Sequence, residues 1–324
     1  MDRELTVCCA VLTYNRRDLL ARCLEAINAQ TRACDQIVVI DNASTDGSAE
    51  MVAQTWGAQV TVVSLPNNIG AAGGFATAVK AARETGADFV WLMDDDVLPR
   101  NDALQHLLKA HGTLADQGVE PAYLISRSRA LSGAITDVPD LDRRANRIGF
   151  PGWAAFLDAG LAPTLSATFV SILLPRDTID RHGLPLADLY MWGEDREYTA
   201  RITRDRPGFL VGASEVIHAR AIEGQIDIRT ERDPRRLRNH YYLVRNTTFI
   251  TRRYERSRKL VYHLARQLSL LVQLSTRGRW RHSGIILRGL VEGLVFRPAP
   301  NPLPSSGPAK PAWSLPAATG LRAE

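Results

Sequence analysis

Cysteine is scarce in this 324-residue chain: Cys8, Cys9, Cys23 and Cys34 are all there is, with no C-x-x-C pair and no histidine at zinc-ligand spacing. That pattern argues against a disulfide framework or a structural zinc and for a reducing compartment, the cytoplasm. Long apolar runs are missing too. Nothing approaches the ~18 consecutive apolar residues of a spanning helix. Met1-Asp2-Arg3-Glu4 lacks the basic start of a secretory signal, so the apolar run behind it reads as a first strand. No internal period is present, which excludes a repeat array. Acidic residues, finally, run out along the chain. Residues 1–228 hold 30 Asp and Glu against 21 Lys and Arg, a net −9, whereas residues 229–324 hold five against 19, a net +14. A basic end on an acidic body points to a polyanionic partner. No groove-reading motif or aromatic platform accompanies it, so nucleic acid is excluded and an anionic membrane surface is expected.

What is there alternates strand with helix. Residues 6–12, 37–40, 60–65 and 89–93 are apolar, β-rich runs, and helical spacing fills residues 16–29, 48–55 and 74–85 between them. Fully apolar strands separated by helices predict an α/β fold with a mostly parallel sheet covered on both faces. Asn15 stands at an N-cap position with Asp18 three residues on. Further along, residues 168–174 read as a strand, 194–204 as a helix, and 209–211 and 216–218 as short strands. Residues 235–296 alternate apolar clusters with Arg and fit two amphipathic helices; the last 27 residues, rich in Pro, Ala and Ser, read as a disordered tail. The length suits such a division into a 1–228 domain, a basic helical region at 229–297 and a tail at 298–324.

Ligands of open α/β sheets bind beyond the carboxyl ends of the strands. Three of the four early strand exits are rich in Asp or Asn: Asp41-Asn42, Asn67-Asn68-Ile69-Gly70 and Asp94-Asp95-Asp96. Gly70, Gly73 and Gly74 are expected to let backbone approach a phosphate. Three adjacent carboxylates at a buried strand's mouth repel one another unless a cation neutralises them, and Mg²⁺ or Mn²⁺ completed by a diphosphate is the natural partner. The alternative is a solvated turn with Asp96 or Asp102 capping the next helix. Glu194 and Asp195 follow Trp192 at the start of a helix, where an ionised carboxylate is favoured and can take a proton from an acceptor hydroxyl, while Trp192 offers a face for a sugar. Plain capping with Trp192 in the core is the competing reading. His218, ending a short strand, is a candidate further metal ligand or a structural histidine.

Together these segments resemble an inverting family 2 glycosyltransferase of the GT-A fold. The resemblance covers about residues 5–220 and rests on Val11-Leu12-Thr13-Tyr14-Asn15-Arg16, residues 38–47, Asn67-Asn68-Ile69-Gly70, Trp91-Leu92-Met93-Asp94-Asp95-Asp96 and Met191-Trp192-Gly193-Glu194-Asp195. Residues 68–75 and 238–246 look like the bacterial rhamnosyl- and galactofuranosyltransferase branch. The resemblance implies a nucleotide-diphosphate-sugar transferase domain over 1–228 with a C-terminal helical extension, acting on a glycan or polyprenyl-linked acceptor of the cell envelope. It further implies that Thr13 and Asp41 contact the nucleoside, Asn68 and Gly70 the diphosphate side, and Asp94 and Asp95 ribose and phosphate. Asp94, Asp96 and His218 would hold the cation, and Asp195 would be the base with Glu194 as its alternative. UDP-galactofuranose is the expected donor and dTDP-rhamnose its rival. A Rossmann dehydrogenase is disfavoured because the first turn lacks G-x-G-x-x-G, and a non-catalytic nucleotide-sugar-binding subunit because its acidic groups are intact. The basic helices are expected to hold the protein at the inner face of the cytoplasmic membrane; a cap on the catalytic domain or a homo-oligomer interface is the other reading.

Overall fold

Strand β1 (Val7–Thr13) is buried along its whole length, and its side chains divide between two apolar layers. Val7, Cys9 and Val11 pack on one side, Cys8, Ala10 and Leu12 on the other. A strand covered on both faces requires this two-residue alternation. The computed structural model describes residues 4–220, 224 and 226–303. In chain order its other strands are β2 (Gln36–Asp41), β3 (Val60–Ser64), β4 (Phe89–Asp94), β5 (Val97–Pro99), β6 (Tyr123–Arg129), β7 (Ile135–Thr136), β8 (Asp140–Leu141), β9 (Leu161–Ser166), β10 (Ile172–Pro175) and β11 (Gly208–His218). They form one sheet ordered β3-β2-β1-β4-β10-β6-β11-β9-β8, with β5 on β11 and β7 on β6. The first four strands of that order are parallel, and the rest are mixed.

Helices α1 (Arg17–Asn28), α2 (Ser48–Trp56) and α4 (Ala103–Asp116) cover one face; α3 (Gly70–Glu84), α5 (Arg176–His182) and α6 (Glu194–Ile202) cover the other. Three more, α7 (Pro234–Tyr254), α8 (Ser257–Thr276) and α9 (Trp280–Val295), build the C-terminal extension around their own core of Leu237, Val244, Leu274, Ile286 and Leu290. The expected GT-A-type α/β fold is present. Among the described residues all four cysteines are free, three of them buried.

Several local expectations change. Asn15 does not cap α1; it takes φ 52°, and its side-chain oxygen accepts the Thr45 N–H at 2.7 Å. The first helical N–H, of Arg17, goes instead to Asp46 Oδ2 at 2.9 Å, so the loop after β2 caps the helix after β1. The two short strands at 209–218 are one, interrupted by a register shift between Val211 and Glu215. The basic region holds three helices rather than two: the inward side of α7 is polar (His240, Arg245, Asn246, Thr248, Thr251), which erases the apolar period. Residues 298–303, expected to open a disordered tail, are docked: Leu184 N–H donates to the Asn301 carbonyl at 3.0 Å, and Asn301 Nδ2 to the Pro185 carbonyl at 2.9 Å. The remainder of that tail lies outside the described residues.

Candidate active site

The acidic triplet and His218 are brought together by a short ladder. After Asp94 ends β4 the chain turns and returns as β5, which pairs antiparallel with the end of β11 so that His218 faces Val97; the Ala219 N–H then closes on the Asp96 carbonyl at 2.7 Å. One ligand atom each from Asp94, Asp96 and His218 lies within 4.8 Å of the others. His218 Nε2 is 3.1 Å from Asp96 Oδ1 but out of line for a hydrogen bond, so this buried oxygen has no hydrogen-bond partner. Two carboxylates and an imidazole around an orphaned oxygen fit a divalent cation.

The charges are arranged to hold this cluster. Arg16 Nη1 donates to Asp95 Oδ1 at 3.0 Å and Asp96 Oδ2 at 2.8 Å, and Thr13 Oγ1 to Asp95 Oδ2 at 2.7 Å. Burial, then the neighbouring Asp96 and Asp95, push Asp94 up to about 8. Burial also lifts Asp95, to about 6, against the pull of Arg16 and Thr13. At Asp96 burial is outweighed by His218 and Arg16, which keep the carboxyl below its usual range. Behind His218 stands Asp137, whose Oδ2 is 2.8 Å from Nδ1 and which also pairs with Arg220. A carboxylate on the rear nitrogen leaves Nε2 aimed at the cluster, the usual outer-shell support of a metal-binding histidine. Burial alone would lower His218, but Asp137 and Asp96 lift it to about 9.

Across the same cleft, of about 700 Å³, lies the loop that enters α6. Tyr190 (φ 64°) and Trp192 (φ 57°) both occupy the left-handed region, followed by Gly193 at φ 112°. Non-glycine residues there store strain unless neighbours over-determine them. Asn246 of α7, fully buried, does so: Nδ2 reaches the carbonyls of Leu189 and Met191 at 3.0 Å and Trp192 at 2.7 Å. Arg245 adds bonds to the Asp188 and Leu189 carbonyls, both at 3.0 Å. A Cβ on Gly193 would come within 3.2 Å of Asn246 Cβ, which explains glycine ahead of the acidic pair. Glu194 is buried with Oε2 unpartnered, and burial together with Asp195 pushes it up to about 8. Asp195 is half-buried and lines the cleft; burial lifts it to about 6 despite the Arg196 N–H at 2.6 Å.

Thr13, Asn68, Asp94, Asp95, Asp96, Trp192, Glu194, Asp195 and His218 thus line one cleft. Asp41 and Gly70 do not: Asp41 Oδ1 accepts the Ser44 N–H at 2.9 Å, and Asn42 is the lining residue of that pair. Gly70 has φ 77°, and a Cβ there would overlap the Tyr190 carbonyl; one on Gly74 would overlap Leu12. These two glycines let α3 close onto the loop before α6 and onto β1, a packing reason in place of the phosphate approach expected from the sequence. Arg16, Asp137, Asn246 and the cleft-facing side of α7 went unrecognised in the sequence. Arg16 and Asn246 sit inside segments already singled out, without a role assigned to either, but Asp137 lies in a loop without pattern. A second cavity, about 880 Å³, opens between α5, the end of α7 and residues 296–303; two of its lining charges, Glu197 and Arg201, pair with each other at 3.0 Å.

Residues 8–124 match the family model described as glycosyl transferase family 2. Over 208 residues the chain is 31% identical to galactofuranosyltransferase GlfT1 of Mycolicibacterium smegmatis, covering 63% of this chain and 67% of that protein. The chain belongs to glycosyltransferase family 2. Galactofuranosyltransferase GlfT1 of Mycobacterium tuberculosis is 42% identical over 213 residues, 61% of this chain and 65% of the relative, so the matches span about two thirds of these relatives' length. Among solved structures, S. aureus TarS 1–349 in complex with UDP superposes with a TM-score of 0.54 at 16% identity, over 88% of this chain and 81% of that one. GalNAc-T7 with UDP, GalNAc and Mn²⁺ gives 0.55 at 14% identity, over 78% and 48%. At such identities the likeness establishes the fold. This family 2 member is therefore a GT-A glycosyltransferase, and no helix among its described residues is long and apolar enough to cross a membrane.

Proposed function

We propose that the protein transfers galactofuranose, with inversion, from a UDP-linked donor to a hydroxyl of a glycan or polyprenyl-linked acceptor in cell-envelope polysaccharide synthesis. The observation that carries this reading is the convergence, in one cleft, of the Asp94, Asp96 and His218 cluster with a separate carboxylate, Asp195, across from it. The similarity to two galactofuranosyltransferases favours that sugar over rhamnose.

Asp195, ionised near neutrality, takes the proton of the acceptor hydroxyl, whose oxygen attacks the anomeric carbon as the bond to the diphosphate breaks on the opposite side. Glu194, pushed higher, stays protonated beside it. Asp94, Asp96 and His218 would hold Mn²⁺ or Mg²⁺, which supplies positive charge where the diphosphate departs. Thr13 serves the nucleoside, Asn68 the diphosphate side, and Asp95, fixed by Arg16 and Thr13, the ribose. Trp192 faces the acceptor. Thermal unfolding with UDP, dTDP and NAD, each with and without Mn²⁺, tests the reading. A ligand at 100 times its Kd adds ~2.7 kcal/mol, and the shift is expected with UDP and Mn²⁺ together. A shift with dTDP alone would move the donor to rhamnose, and one with NAD alone would remove the transferase assignment from this cleft.

A lipid-linked acceptor places the enzyme at the inner leaflet of the cytoplasmic membrane. Support comes from exposed apolar residues on α8 (Val261, Leu268, Val272) and α9 (Leu287, Val291, Val295), interspersed with arginines. Apolar stripes with a basic surround suit an anionic interface. Changing Arg266, Arg277, Arg279 and Arg281 together to Ser is expected to abolish co-sedimentation with phosphatidylglycerol vesicles; retained binding would rule out the electrostatic contribution.

A further inference from the structure

One face of α7 looks into the active cleft. Arg236, Asn239, Leu243 and Thr247, spaced three, four and four residues apart, all line the space that holds Asp195 and the acidic triplet. That spacing is one stripe of an α-helix. The rest of α7 is committed to structure: Val244 and Thr248 pack against Gly289 and Gly293 of α9, and Asn246 clamps the loop before α6. Within the stripe, Arg236 is held by Glu231 at 3.0 Å, whereas the side chains of Asn239 and Thr247 make no hydrogen bond among the described residues. Both are half-buried. Half-buried polar groups turned into a cleft without a partner among the described residues are available to bond a ligand. Leu243 stands between them, Ile250 lines the same cleft, and the Trp192 ring lies beside α7, edge-on to His240 at 5.6 Å.

Alternating apolar and hydrogen-bonding groups match the surface of a sugar, whose carbon face is apolar and whose edge carries hydroxyls. Thr13, Asn68 and Asp94 occupy the strand-end wall, on the donor side, which leaves the α7 wall for the second substrate. We propose that this stripe of α7 is the acceptor subsite, in which Asn239 and Thr247 bond the hydroxyls of the acceptor's terminal sugar and Leu243 and Trp192 contact its carbon face. The assignment rests on the transferase reading with Asp195 as base. It makes the basic extension part of substrate recognition as well as a membrane element.

The test uses the full chain, UDP-galactofuranose and a panel of octyl glycosides, following UDP release. With the octyl glycoside that most accelerates release by the unaltered protein, Asn239→Ala and Thr247→Val are each expected to raise the acceptor KM by ~5–10-fold, the worth of one hydrogen bond to a neutral partner. Thr247→Ser is expected to restore it. Release without acceptor, and stabilisation by UDP with Mn²⁺, stay unchanged; both readouts also establish that the variants are folded. An unchanged acceptor KM, or a weakened UDP response in place of it, would overturn the subsite. Absence of any UDP response in the unaltered protein would instead count against the transferase reading itself.

Discussion

Asp195→Asn is expected to cut the transfer rate by ~10²–10⁴-fold, the span typical of losing a general base, with UDP affinity essentially unchanged. The side chain keeps its size, and its remaining oxygen can still accept the Arg196 N–H, so the loop into α6 stays in place. Only the capacity to take a proton disappears. The pH profile gives the same answer without a mutation. A base works when deprotonated, so rate rises as pH climbs through its pKa. With Asp195 lifted to about 6 and Glu194 to about 8, a rising limb near the lower value assigns the base to Asp195 and one near the higher value assigns it to Glu194. Glu194→Gln is the companion variant: it should leave the limb where it is. Loss of turnover in Glu194→Gln with survival of Asp195→Asn would reverse the two roles.

The second large effect is expected at a residue that touches no substrate. Asn246→Ala removes the amide from the carbonyls of Met191 and Trp192, while the Leu189 carbonyl keeps Arg245. Each buried acceptor left unpaired costs ~1–3 kcal/mol, so a stability loss of order 2–4 kcal/mol is expected in chemical denaturation. The strained conformations of Tyr190 and Trp192 relax once nothing holds them, and Asp195 moves with the loop. A displacement near 1 Å at the chemistry is worth ~10²-fold in rate, so kcat should fall by about that much with UDP affinity little changed. Asn246→Asp keeps the volume but has no N–H to donate, and it should be as damaging. A mild Asp variant would mean that Asn246 fills space and does not aim the loop.

The parallel half of the sheet and the acidic triplet were legible in the sequence because each is a local pattern: apolar runs of four to seven residues, then carboxylates at the exit. His218 was legible only as a candidate, since its meeting with Asp96 depends on β5 folding back onto β11 across more than a hundred residues. Asp137 was not legible at all, and Asn246, though it ends the 238–246 segment that carries the resemblance, gave no hint of its role. An isolated Asp in a loop and an Asn inside an Arg-rich helix become meaningful only when tertiary contact sets a carboxylate behind an imidazole or an amide under three carbonyls. Gly70 shows the opposite failure. A glycine after a strand suggests phosphate, yet its neighbour in space is the Tyr190 carbonyl.

The cysteines of the first strand and helix carry a consequence for how the protein meets oxidants and alkylating reagents. Cys8, Cys9 and Cys23 lie inside the two layers around β1, and burial raises Cys8 to about 12 and the other two well above the ordinary thiol range. The reactive thiolate is then almost absent at neutral pH, and reagents have no path to it while the helices stay packed on β1. Only Cys34 is even partly open to solvent. Chemical modification of the other three therefore requires a covering helix to lift from the sheet or β1 to leave it, so their labelling measures an opening of the core and not the mobility of the surface.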